Sequence, residues 1–146
     1  MKRPSLAAVA FFLFSSLMCR AADIDAPGNL YDGQWSVDFV CTDTQDRNGL
    51  VKGYEYKFSV TIAGGKLQGQ YGTKGAPASI AYSGSVENDG TLEVKAVGNT
   101  GRSDYSVGKV ALGTDYSYTM VGRLEREEGR AVRREVRPCT AVFTKL

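Results

Sequence analysis

The sequence predicts an all-β fold, a single antiparallel up-and-down barrel of about eight strands, on three observations. Apolar and polar residues alternate at period two, clusters of Gly, Asn and Asp interrupt that alternation at short intervals, and two cysteines stand near the two ends of the patterned region. A β-sandwich is the alternative that the same pattern allows.

The first strand begins at Gly33, with Trp35, Val37, Phe39 and Cys41 on one face and Ser36 and Asp38 on the other. The clearest alternation follows, placing Tyr54, Tyr56, Phe58, Val60 and Ile62 on one side and Glu55, Lys57, Ser59 and Thr61 on the other. Further strands are expected over 67–71, 79–86, 91–97, 104–111, 116–124, 131–137 and 140–145. Ala63-Gly64-Gly65, Asn88-Asp89-Gly90, Leu112-Gly113-Thr114 and Glu127-Glu128-Gly129 supply turns between them, because Gly and Asn accept positive φ at little cost. Connections this short make neighbouring strands antiparallel. No window carries a sustained helical apolar stripe.

Residues 1–21 join a basic start (Lys2, Arg3), an apolar run over 6–18 and Cys19-Arg20-Ala21, the pattern of a signal peptide cleaved after Ala21. The run is shorter than the roughly 18 to 20 apolar residues of a spanning helix, so no membrane span is expected after cleavage. Met18 is larger than the residue a lipidation site prefers before its cysteine. The mature protein is therefore expected in the periplasm or secreted. Three of the 18 basic residues and none of the 16 acidic ones leave with the signal, so the formal charge falls from +2 to −1. A chain without basic bias gathers no phosphates, which argues against nucleic acid as a partner. Residues 22–32, with Pro27, Gly28 and three Asp, are expected to form a flexible N-terminal arm, leaving 33–146 as the barrel domain.

Cys19 leaves with the signal, and the remaining pair, Cys41 and Cys139, predicts one disulfide in an exported chain. The bond closes a loop of about 100 residues. It ties the first strand to the last, as a meander that closes on itself requires, and so favours the barrel over the sandwich. A redox-active pair would want Cys-x-x-Cys spacing, which these two residues do not have.

The chain contains no His, which removes the commonest general base and the commonest metal ligand. Ser, Lys, Asp and Glu occur at no spacing that sets any of them apart, so neither catalytic residues nor a cofactor nor a metal site is expected. Asp46, Asn48, Gly49 and Glu55 match four positions of a calcium-loop pattern, but Thr44 takes the first ligand position and Glu55 alternates within a strand. A loop between strands is the simpler reading. All the tyrosines except Tyr31 fall in expected strands. A barrel mouth lined by Tyr54, Tyr56, Phe58, Tyr116 and Tyr118 could hold a small amphipathic ligand by stacking and hydroxyl hydrogen bonds. Plain core packing is the competing account of the same aromatics. Between Arg123 and Arg137 lie six Arg and four Glu, either a hairpin that docks on an acidic surface or a solvated one with cross-strand ion pairs.

At Gly33-Gln34-Trp35 the chain resembles the Gly-x-Trp opening of calycin barrels, the group of lipocalins, avidins and a bacterial metalloprotease inhibitor. The resemblance implies that Trp35 closes the barrel floor under a basic residue from the last strands, Arg137 or Arg134 here. Over nearly the whole mature chain the sequence is similar to small exported proteobacterial proteins of uncharacterised function, through Asp32 to Val37, Gly84 to Gly90 and Arg137-Pro138-Cys139. Avidin sites surround biotin with several tryptophans, and Trp35 is alone, which argues against biotin. The stretch before Gly33 resembles the extended arm of the metalloprotease inhibitor, although that inhibitor's disulfide joins nearby strands early in its chain. The expectation is an exported, monomeric, non-enzymatic binding module of the cell envelope, holding a small amphipathic ligand or an envelope protein at a barrel end. The alternative is a periplasmic protease inhibitor that uses the arm.

Overall fold

Alternation sets the strands, and closure sets their order. The computed structural model describes residues 28–146, so the expected signal peptide, its cleavage site and residues 22–27 lie outside the described residues. Among the described residues there are ten strands: β1 (Gly33–Cys41), β2 (Thr44–Asp46), β3 (Gly49–Val51), β4 (Tyr54–Ala63), β5 (Lys66–Tyr71), β6 (Ile80–Val86), β7 (Thr91–Asn99), β8 (Asp115–Leu124), β9 (Glu128–Arg133) and β10 (Cys139–Lys145). Eight of them close an antiparallel barrel in the order β1-β10-β9-β8-β7-β6-β5-β4, and β2 and β3 form a separate hairpin. β1 completes the ring by pairing with β4 on one side and β10 on the other, which removes the free edges of the sheet. The sandwich alternative is thereby set aside.

That closure puts Cys41 directly opposite Cys139. The two form a disulfide with their Cα atoms 4.1 Å apart.

Inward residues follow the predicted phase. Trp35, Val37 and Phe39 of β1, Val60 and Ile62 of β4, Leu92 and Val94 of β7 and Ala141 and Phe143 of β10 are buried together, while Glu55, Lys57, Ser59 and Thr61 of β4 face outward. Where neighbouring strands bend around so small a ring, no side chain fits. A Cβ on Gly122 of β8 would lie 2.0 Å from the Arg130 carbonyl oxygen of β9, and one on Gly84 of β6 would lie 2.2 Å from that of Glu93 on β7.

Connection length alternates around the ring and makes the two ends unlike. Tight turns after β4, β6 and β8 close one end, the floor; the longer connections after β1, β5, β7 and β9 all rise from the other end, the mouth. At the floor Trp35 is fully buried and its Nε1–H donates to the Tyr31 carbonyl at 2.8 Å. The Asp32 carboxylate accepts from the backbone N–H groups of Asn29, Gly64 and Gly65. Those bonds, Gly65 first, hold its pKa below the ordinary carboxylate value. With Tyr31 also buried, residues 29–32 are pinned across the floor, whereas the sequence suggested part of a free arm.

Three further expectations need correction. Residues 104–111 form two short 3-10 turns, Ser103–Tyr105 and Val107–Lys109, in place of a strand. Gly108 and Lys109 take positive φ there, which a β ladder does not accommodate. The strand expected over 131–137 runs from Glu128 to Arg133, shifting the preceding turn toward Glu125, whose N–H meets the Glu128 carbonyl at 2.7 Å. The segment 44–51, expected as a loop, folds as the β2–β3 hairpin. Asp46 serves it as a turn acceptor, taking the Asn48 N–H at 2.6 Å and the Gly108 N–H at 2.6 Å.

Candidate functional site

The interior divides at mid-height. Toward the floor, aliphatic side chains with Trp35 and Phe143 fill the barrel. Toward the mouth tyrosine takes inward positions on β4, β5, β6 and β8, and the packing opens into a cavity of about 460 Å³. That volume lies within the roughly 300 to 1,000 Å³ of small-molecule sites. Tyr54 and Tyr56 of β4, Tyr71 at the end of β5, Ile80 of β6 and Tyr116 of β8 form its walls; Tyr105, Val107 and Val110 of the 100–114 loop and Val136 form its rim.

Two ladders of nearly parallel rings shape the walls. Tyr54 and Tyr56 stack at 6.0 Å with 11° between their planes, and Tyr116 and Tyr118 at 6.1 Å with 7°. Alternation on one strand puts every second side chain on the same face, which brings successive inward tyrosines side by side. Beneath them the Tyr82 hydroxyl bonds to the hydroxyl of Tyr56 and, at 3.3 Å, to that of Tyr118. Burial raises the pKa values of Tyr54, Tyr56, Tyr82 and Tyr116 above the ordinary value and pushes Tyr118 up to about 12. These hydroxyls are neutral at physiological pH. They offer ring faces and hydrogen bonds and make poor bases.

Two arginines complete the mouth. Arg137, only 2% exposed, donates to the carbonyls of Thr42 at 2.6 Å, Lys52 at 3.1 Å and Tyr105 at 2.9 Å, and lies 5.0 Å from the centre of the Tyr54 ring. It therefore ties both ends of the hairpin connection and the 100–114 loop to the barrel rim. Direct bonds between those two segments reinforce the tie, from Lys52 N–H to the Asp104 carbonyl at 2.9 Å and from Lys109 Nζ to the Leu50 carbonyl at 2.6 Å. Arg133, the last residue of β9, points inward at 9% exposure with its guanidinium 4.1 Å from the centre of the Tyr118 ring. Its Nε–H donates to the Glu135 carbonyl at 3.1 Å.

Of the aromatics expected to line a ligand site, Tyr54, Tyr56 and Tyr116 stand on the cavity wall; Phe58 and Tyr118 are buried below it, Phe58 stacked on Tyr82 at 4.4 Å. Arg137 does not cover Trp35. It sits at the mouth beside the disulfide, and the basic residue over Trp35 is Lys145, which pairs with it across β1 and β10 and reaches 5.6 Å from its ring. The reason is direction: Trp35 lies near the start of β1, whereas Arg137 precedes Cys139, the partner of that strand's last residue. Tyr71 and Arg133 were missed as lining residues, although each shares the inward phase of its strand with Leu67 and Ala131 respectively. Comparison of the chain with protein families, with curated proteins and with solved structures returns no match.

Proposed function

We propose that this chain is an exported, non-enzymatic binding module of the cell envelope that holds a small amphipathic ligand in the mouth of its barrel. The observation that carries the reading is the tyrosine-walled cavity of about 460 Å³ above a filled floor. A ring of aromatic faces with a few hydroxyls and one inward guanidinium suits a ligand with an apolar body and a polar end. The disulfide supports export, since such bonds persist in oxidising compartments. The polar outer face of β4 supports an aqueous setting, because a membrane barrel turns its apolar residues outward. The Gly33-Gln34-Trp35 likeness to calycin barrels agrees with a site at one barrel end. Native mass spectrometry of protein purified from the periplasm of its source tests the proposal. A discrete adduct, lost on denaturation, is expected; unliganded protein whose melting temperature no member of a small-molecule library raises would overturn it.

A further inference from the structure

Arg133 is the least satisfied charge at the mouth. The residue is nine-tenths buried, yet among the described residues it takes part in no ion pair, and no protein acceptor meets its two terminal nitrogens. Arg137 beside it likewise has no carboxylate partner, so two cations share this part of the wall. The two carboxylates that reach the cavity, Glu55 and Asp115, are exposed residues. A buried guanidinium with open donors favours an anion, and its planar fork matches a carboxylate or similar acid group. The neighbouring ring ladders are parallel and flat.

We propose that the mouth cavity takes an aromatic organic acid, its acid group held by Arg133 and its ring body laid against Tyr54, Tyr56 and Tyr116. This rests on the binding reading above and names the ligand class for the same site. Arg137 contributes positive charge but not contacts, since its terminal nitrogens already serve backbone carbonyls and its Nε is enclosed by protein.

The test uses two fluorescent probes with one ring system, anionic 8-anilinonaphthalene-1-sulfonate and its uncharged parent N-phenyl-1-naphthylamine, titrated into the folded protein. The anionic probe should bind at least about tenfold more tightly, as one charge-assisted contact predicts. Arg133→Met should abolish that preference and leave the neutral probe within about twofold, whereas Arg123→Met, on the exposed face near the floor, should change neither. Arg133→Lys retains the charge without the fork and should fall between. If Arg133→Met does not fold, the ratio of the two probes on the native protein and on Arg133→Lys decides. Equal affinity for both probes would overturn the anion site while leaving the binding cavity in place. Failure of both to bind would overturn the cavity reading itself.

Discussion

Tyrosine hydroxyls crowd the upper half of the barrel, and burial sets the acidity of five of them. The pKa values of Tyr54, Tyr56, Tyr82, Tyr116 and Tyr118 all lie above the ordinary 10.0 in the fold. Between the unfolded and folded values the native state holds protons that the unfolded chain has released. The stability these groups contribute is therefore present in full below pH 10 and is lost as pH rises from there toward the folded-state values. Absorbance titration of the folded protein should show these five ionising above the ordinary tyrosine value; five hydroxyls titrating freely near pH 10 in folded protein would contradict their burial. Arg137 gives a second prediction at this scale. Removing its three carbonyl bonds by Arg137→Met should destabilise the protein by roughly 2 to 4 kcal/mol. Amide exchange should rise first at Lys52, whose N–H bond to Asp104 joins the two segments that Arg137 holds. Unchanged protection there would show that the segments hold without it.

Strands were legible wherever the alternation was uninterrupted, as in β4, where phase, exposed face and inward tyrosines all follow from Tyr54 to Ile62. The 104–111 segment shows the limit. Its apolar residues mimic a strand, but Gly108 and Lys109 turn the backbone and set Tyr105 and Val107 on the cavity rim, a choice made by the mouth and not by local pattern. Arg133 was legible by phase and hidden by composition, because six Arg in one stretch suggest a solvated face. Arg137 lies beyond its strand, where no period reaches, so only the fold places it. The glycines inside the strands carry the element-scale prediction. Gly122→Ala forces a methyl against the Arg130 carbonyl and Ala131 of the neighbouring strand. It should cost about 1 to 3 kcal/mol by denaturant unfolding, and a neutral result would show that β8 and β9 can separate at that point.

Closure of the ring by β1 gives the barrel its two ends, and connection length makes them unlike. The disulfide fastens that closure across a sequence separation of 98 residues. Replacing both cysteines with Ser should remove about 4 to 5 kcal/mol in the chain-entropy account, lowering the melting temperature by roughly 10 °C or more, with the far-ultraviolet β signal retained. A double variant melting within 2 °C or so of the parent would show that ring pairing alone fixes β1 against β10. The central claim is that the mouth binds and the floor is sealed. Amide chemical-shift mapping by NMR, with 8-anilinonaphthalene-1-sulfonate as the probe, tests it most directly. Shifts confined to the mouth, at Tyr54, Tyr71, Tyr116 and Arg133, with Gly64, Gly90 and Glu127 unmoved, are the result predicted. Shifts centred on the floor turns or spread over the outer faces of the strands would contradict it.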